Sequence, residues 1–90
     1  LPHLTVESES DGQLVLRQKE FADAWKFIAD GGGCVNFGQI NSSTTNEEGE
    51  GGSPDSYEHT CNLRELIEML LEVEVEAKKR WPREYGEEVL

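Results

Sequence analysis

The sequence predicts an α+β fold: a small antiparallel sheet with two helices packed on one face, in the order ββαββα. Short runs that alternate apolar and polar residues, bounded by Gly, Ser and Asn, are typical of strands. Two longer segments, residues 18–30 and 62–81, repeat their apolar residues at the helical period. Residues 1–90 are therefore expected to form a single domain with a modest core.

Residues 4–9 and 13–17 are predicted to form the first hairpin. A two-residue turn would place acidic side chains on the apolar face, whereas a three-residue turn at residues 10–12 keeps that face apolar. The expected pairs are then Val6 with Leu16 and Ser8 with Leu14. This register predicts a left-handed Gly12, as in bulged hairpins, and one shared face for four apolar residues. These are Leu4, Val6, Leu14 and Leu16.

Residues 18–30 are expected to form the first helix, and Gly31 directly after them is typical of a helix C-cap. Phe27 lies off the apolar stripe that supports this prediction. The stripe consists of Phe21, Ala24, Trp25 and Ile28.

Two further strands are predicted at residues 34–40 and 57–61, on either side of a long polar segment. That segment, residues 41–56, is rich in Gly and Ser and contains no basic residue. Because it has almost no apolar surface to bury, we expect it to be a mobile acidic loop.

The two cysteines are predicted to be free thiols. The strand pairing that brings the apolar residues together sets Val35 opposite Cys61 and Phe37 opposite His59. Cys34 would then point to the other face of the sheet from Cys61, which argues against a disulfide between them.

Residues 62–81 form the only segment that is long and apolar enough to be the spine of the core. Asn62 is a good N-cap, and Glu65 three residues later completes a capping box. Pro82 disfavours helical conformation at Trp81, so we expect the helix to end there. The apolar stripe expected to face the sheet is Leu63, Leu66, Ile67, Leu70, Val73, Ala77 and Trp81.

The opposite face of this helix carries a row of acids, which we call the acidic row. It consists of Glu65, Glu68, Glu72 and Glu76. A solvated face is the simplest interpretation, but like charges at i,i+4, such as Glu68 and Glu72, cost about 0.2–0.5 kcal/mol. Carboxylates about 5–6 Å apart along a helix face resemble the phosphates of a nucleic-acid strand in spacing, so the row is also a candidate binding surface.

The net charge of −11 argues against direct binding to nucleic acids or anionic membranes, since both need basic surfaces. It favours a partner protein with a basic surface, such as a nucleic-acid-binding protein. The candidate partner-binding residues are the acidic row and the acids of the polar loop. They are Glu65, Glu68, Glu72, Glu76, Glu47, Glu48, Glu50 and Asp55.

We expect no catalytic, cofactor-binding or metal site. The candidate ligands Cys34, His59, Cys61 and His3 lack the C-x₂-C or H-x₃-H spacing of metal centres. A Cys–His nucleophile would lack a group to orient the base. The glycines at 31–33 follow a predicted helix, whereas phosphate-binding loops precede one.

The function expected from size and charge is that of a non-enzymatic inhibitor that covers the nucleic-acid-binding surface of a partner. Nuclease inhibitors and phage anti-defence (anti-CRISPR-like) proteins that mimic nucleic acids are the comparison, by analogy only. One alternative is an accessory subunit with an exposed apolar patch around Phe27, Met69 and Tyr85. Another is a small enzyme that uses Cys34 or His59. No membrane-length apolar run or signal peptide is visible, so the expected location is the cytoplasm.

Overall fold

The computed structural model describes residues 1–19, 24–41 and 52–86. Within these ranges, five strands form one antiparallel sheet in which each strand pairs with the next along the chain. The strands are β1 (Leu4–Glu9), β2 (Gln13–Gln18), β3 (Trp25–Asp30), β4 (Val35–Gln39) and β5 (Glu58–Thr60). Two helices follow, α1 (Leu63–Arg80) and the short α2 (Pro82–Tyr85). The predicted order ββαββα, with two helices packed on one face, is therefore wrong.

The largest correction concerns β3, which replaces the C-terminal part of the predicted first helix. Trp25, Phe27 and Ala29 lie on one face of the sheet, and Phe27 is opposite both Leu16 and Phe37. Aromatic and β-branched residues favour a pleated surface, and pairing with two neighbouring strands outweighs a weak helical period. Phe27 lies off the predicted helical stripe because it belongs to this strand. Residues 20–23 of the predicted helix are outside the described residues.

The glycines at 31–33 form the turn between β3 and β4 rather than a helix cap. The Asp30 carboxylate accepts hydrogen bonds from the backbone N–H of Gly32 at 2.9 Å and of Cys34 at 3.0 Å. Gly33 has a φ of 96°, in the region that favours glycine. The aspartate and the glycine together turn the chain tightly between two strands.

The first hairpin confirms the predicted pairing of Val6 with Leu16, but the register changes beyond it at a β-bulge around Glu7. The pairs beyond the bulge are Ser8 with Val15 and Glu9 with Leu14. The predicted pair of Ser8 with Leu14 is therefore wrong, and so is a left-handed Gly12. Leu4, Val6, Leu14 and Leu16 do share one face, as predicted. The bulge does not separate them, because it lies after Val6 on β1.

Residues 52–56 lie against one face of the sheet at Lys26 and Gly38, and we call it the loop-covered face. Its residues are Val15, Arg17, Lys26, Ile28, Asn36 and Gly38. Pro54 is buried and lies so close to Gly38 that an added Cβ there would come within 2.7 Å of the proline Cβ. The Lys26 Nζ donates to the Gly52 carbonyl at 3.2 Å and pairs with the Glu7 carboxylate at 2.8 Å. The C-terminal end of the predicted mobile loop is thus packed, while residues 42–51 lie outside the described residues.

The other face of the sheet, the apolar face, carries most of the large side chains. It consists of Leu4, Val6, Leu14, Leu16, Trp25, Phe27, Ala29, Val35 and Phe37. The Phe37 ring lies 6.2 Å from that of Phe27 and 6.4 Å from that of Trp25. Trp25 and Val6 are nevertheless exposed, so this face is only partly closed.

Helix α1 confirms the predicted element and its ends. The Asn62 Oδ1 accepts from the Glu65 backbone N–H at 3.1 Å, and the Asn62 Nδ2 donates to the Glu65 carboxylate at 2.9 Å. The last helical hydrogen bond runs from the Trp81 N–H to the Ala77 carbonyl, directly before Pro82. Neither α1 nor α2 is long and apolar enough to cross a membrane.

The predicted packing of α1 is wrong. Leu63–Arg80, all of which the structure describes, include no buried residue. Within the described ranges, α2 follows α1 directly in the chain, and no strand packs extensively against α1. The helical period of a sequence identifies the apolar side of a helix, but it does not identify what that side contacts.

Candidate protein-binding surface

The structure brings the four residues of the acidic row together on one side of α1. All four are exposed, and at 100° per residue they fall within a sector of about 80°. Glu76 pairs with Lys79 at 3.2 Å, and Glu65 is held by the N-cap residue. Among the described residues, Glu68 and Glu72 have no ion-pair or hydrogen-bond partner. The two central acids of the row are therefore available to a ligand.

The apolar stripe of α1 lies on the far side of the helix from the acidic row, and it is also uncovered. Leu70 is 59% exposed, Val73 62% and Trp81 49%. Leu66, Ile67 and Ala77 are half-buried. Large apolar side chains that lie together at a protein surface are typical of interaction sites.

An open groove of ≈ 470 Å³ connects the stripe and the acidic row near the C-terminal end of α1. It is lined by Glu72, Val73, Glu76, Ala77, Arg80 and Trp81. The Arg80 guanidinium lies 5.6 Å from the centre of the Trp81 ring, and the Tyr85 ring lies 6.0 Å from it on α2. Aromatic residues flanked by arginine are common at the energetic centres of protein interfaces.

The remaining predicted site residues are not on this helix. Asp55 is exposed, and its carboxylate accepts from the Asn41 side chain at 2.7 Å, next to the bridge between Ile40 and Pro54. Glu47, Glu48 and Glu50 lie outside the described residues. The structure therefore groups four of the eight predicted residues into one surface and places Asp55 on the loop that covers the sheet.

The apolar patch predicted around Phe27, Met69 and Tyr85 is not one surface. Met69 and Tyr85 are 49% and 51% exposed on the helical part of the chain, but Phe27 stacks with Phe37 on the sheet. Two separate apolar surfaces exist instead. Sequence reasoning missed the one on the sheet because it assigned residues 25–30 to a helix.

Cys34 and Cys61 form a disulfide, so the prediction of free thiols is wrong. The pairing of β4 with β5 differs by one residue from the predicted register: Asn36, not Phe37, is opposite His59. A one-residue shift moves every side chain of a strand to the other face. Continued by one residue beyond the pair of Val35 and Thr60, the observed register sets Cys61 opposite Cys34, with 3.9 Å between their Cα atoms.

His59 lies beside this disulfide. Its Nδ1 is 2.6 Å from the Asn36 Oδ1, and its Nε2 is 3.2 Å from the Cys61 Sγ. The two sulfur atoms and the imidazole lie within 4.8 Å of one another. The H-x-C spacing of His59 and Cys61 was the sequence signal for this proximity, because side chains at positions i and i+2 of an extended chain lie on the same face.

The described residues thus form an antiparallel meander followed by a helix that lies largely apart from the sheet. No family model, no curated protein and no solved structure matches this chain. The candidate site therefore rests on the geometry and chemistry of the residues themselves.

Proposed function

We propose that this chain is a small, acidic, non-enzymatic module that binds a partner protein through α1. The observation that supports it best is that α1 has no buried residue, while it exposes an apolar stripe and an acidic row together. Covering a Leu, Val or Phe-sized side chain stabilises a protein by about 1.5–3 kcal/mol. An amphipathic helix that fits an apolar groove of another protein is a common way to obtain that stabilisation.

The charge of α1 defines the kind of partner. Glu68 and Glu72 repel each other and form no ion pair among the described residues, so Lys or Arg side chains beside the partner's apolar groove would relieve a local cost. Basic surfaces of this type are common on nucleic-acid-binding proteins. The proposed role is therefore inhibition by covering such a surface, with the carboxylates in the place of phosphates.

The cytoplasm is the compartment we propose for this binding. Thiol reductants there keep most cysteines reduced, so the Cys34–Cys61 bond would be open to reduction in that compartment.

A second candidate function is that of an accessory subunit in a larger assembly. It is favoured by the aromatic cluster of Trp25, Phe27 and Phe37 on the sheet, which α1 does not cover. Two separate apolar surfaces on one small chain suit a subunit with more than one neighbour. In this case the negative charge would serve solubility, and apolar contacts would dominate binding.

The first experiment locates the binding surface by photo-crosslinking in cells. A photoreactive amino acid replaces Val73 on the stripe in one chain and Ser10 in the first hairpin in the control chain. We expect a protein cross-linked through position 73 and not through position 10, at peptides where apolar residues adjoin Lys or Arg. Equal labelling from both positions, or none from position 73, would contradict the proposal.

The second experiment measures association rates with the captured, purified partner. Glu68→Lys with Glu72→Lys should slow association severalfold and leave circular dichroism unchanged, because charge complementarity acts mainly on the association rate. Added salt should slow the wild-type chain in the same direction. The matched control is Glu9→Lys with Asp11→Lys, which changes the net charge equally at exposed positions away from α1.

The same assay separates the two candidate functions. Leu70→Ser with Val73→Ser should weaken binding in either case, since both residues belong to the stripe. If the charge-reversed helix binds as fast as wild type while the serine variant does not bind, the accessory-subunit function replaces the inhibitor function.

A further inference from the structure

The corner of the sheet where β4 meets β5 contains a built group of metal-ligand atoms that the proposed function does not use. Cys34, His59 and Cys61 contribute two sulfur atoms and an imidazole, all within 4.8 Å of one another. Asn36 supports the imidazole from the neighbouring strand. These residues share one face, because Asn36 pairs with His59 and the same register sets Cys34 opposite Cys61.

We propose that reduction of the Cys34–Cys61 disulfide converts this corner into a binding site for a thiophilic divalent metal ion, with Zn²⁺ as the expected ion. A dithiol reductant supplies two electrons and two protons. The S–S bond breaks, two cysteine thiols form, and the reductant becomes its own cyclic disulfide. When the ion binds, each thiol releases its proton to solvent and becomes a thiolate ligand.

The hydrogen bonds of His59 prepare it to be the third ligand. The side-chain oxygen of Asn36 can only accept, so Nδ1 is the donor in this hydrogen bond, and in the neutral ring Nε2 is then the nitrogen that can bind a metal. Nε2 points toward the Cys61 sulfur, which is 3.2 Å away. A hydrogen bond that fixes the ring through its other nitrogen is the usual support of a metal-binding histidine.

The dimensions also suit zinc. Thiolates that bind a tetrahedral ion at about 2.3 Å are about 3.8 Å apart, and cysteines opposite each other on neighbouring strands can reach this separation by side-chain rotation once the bond is broken. His59 on the edge strand β5 and Cys61 directly after it are both exposed. An ion could therefore enter from solvent, and a water or an external ligand would complete its coordination.

The test uses Co²⁺ and Zn²⁺ on the whole chain. The protein is reduced with a dithiol, which is then removed by gel filtration without oxygen, and Co²⁺ is added. We expect one ion per chain, with thiolate-to-cobalt charge-transfer absorption and the visible bands of a tetrahedral site. Zn²⁺ should displace the cobalt. The oxidised chain should give none of these signals, because its sulfur atoms are bonded to each other.

Variants assign the ligands. Asn36→Ala removes only the hydrogen bond that supports His59 and should weaken Zn²⁺ binding by a factor of about 10–100. His59→Ala removes a ligand and should weaken Zn²⁺ binding by more than that factor. His3→Ala is the matched control, because His3 lies outside the group, and it should bind as wild type does. Equal affinity in wild type and His59→Ala would overturn the site.

If the reduced chain loses its fold, circular dichroism measures whether Zn²⁺ restores it. If the reduced chain refolds when one equivalent of Zn²⁺ is added, the metal replaces the disulfide as the cross-link, and the proposal is supported. If the reduced chain stays unfolded with Zn²⁺, or stays folded without thiolate-to-cobalt absorption, the proposal is wrong. None of these readouts depends on the partner of α1, so either proposal can fail alone.

Discussion

The loop-covered face of the sheet and helix α1 use similar apolar residues for opposite purposes. Ile40, directly after β4 and on the same face as Gly38, is 2% exposed and forms a β-bridge with Pro54, so its burial is completed within the chain. Leu70, on α1, is more than half exposed and has no such cover. An apolar pattern therefore predicts that a surface will be covered, but the covering group can belong to the same chain or to a partner.

The largest expected effect separates the two regions directly. Ile40→Ala should lower the free energy of unfolding by about 2–5 kcal/mol, because it leaves a cavity between the sheet and the residues that cover it. Urea denaturation followed by tryptophan fluorescence measures this change. A loss below about 0.5 kcal/mol, typical of surface positions, would show that the loop-covered face is not a core.

A smaller effect is expected at the start of α1. Asn62→Ala removes the side chain that caps the Glu65 N–H and should cost the helix about 1 kcal/mol. Because no strand packs extensively on α1 in the described residues, this cost should reduce helical ellipticity at low temperature and leave the unfolding of the sheet unchanged. If the sheet unfolds at a correspondingly lower temperature, the helix and the sheet are coupled.

The smallest effect is expected in the middle of α1. The sequence alone predicts Leu70→Ala to create a core cavity, which would cost about 2–5 kcal/mol. The exposure of Leu70 reduces the expected change in the isolated chain to within about 0.5 kcal/mol. A melting temperature close to that of wild type supports the exposed stripe, whereas a large decrease would mean that α1 packs on the sheet.

The local features of the chain could be predicted well from the sequence. The ends of α1 follow from the Asn62 cap and from Pro82, and the position of the acidic row follows from 100° per residue. The first hairpin was predicted because its alternation and turn residues are close in sequence. These features depend on interactions between residues a few positions apart.

Three further features were decided only by tertiary structure. Residues 25–30 became a strand because β2 and β4 pair with them on both sides. The disulfide depends on a one-residue choice of register between strands that the polar loop separates in sequence.

The packing of α1 is the third. Residues 62–81 determine by themselves that they form an amphipathic helix with an acidic side, because helical geometry and capping are local. Whether the apolar side is covered depends on which other surface contacts it. Contacts between segments that are distant in sequence leave no periodic pattern within either segment, so the sequence of α1 does not predict them. The sequence therefore determined the chemistry of the proposed binding surface, and the tertiary structure decided that this surface is open.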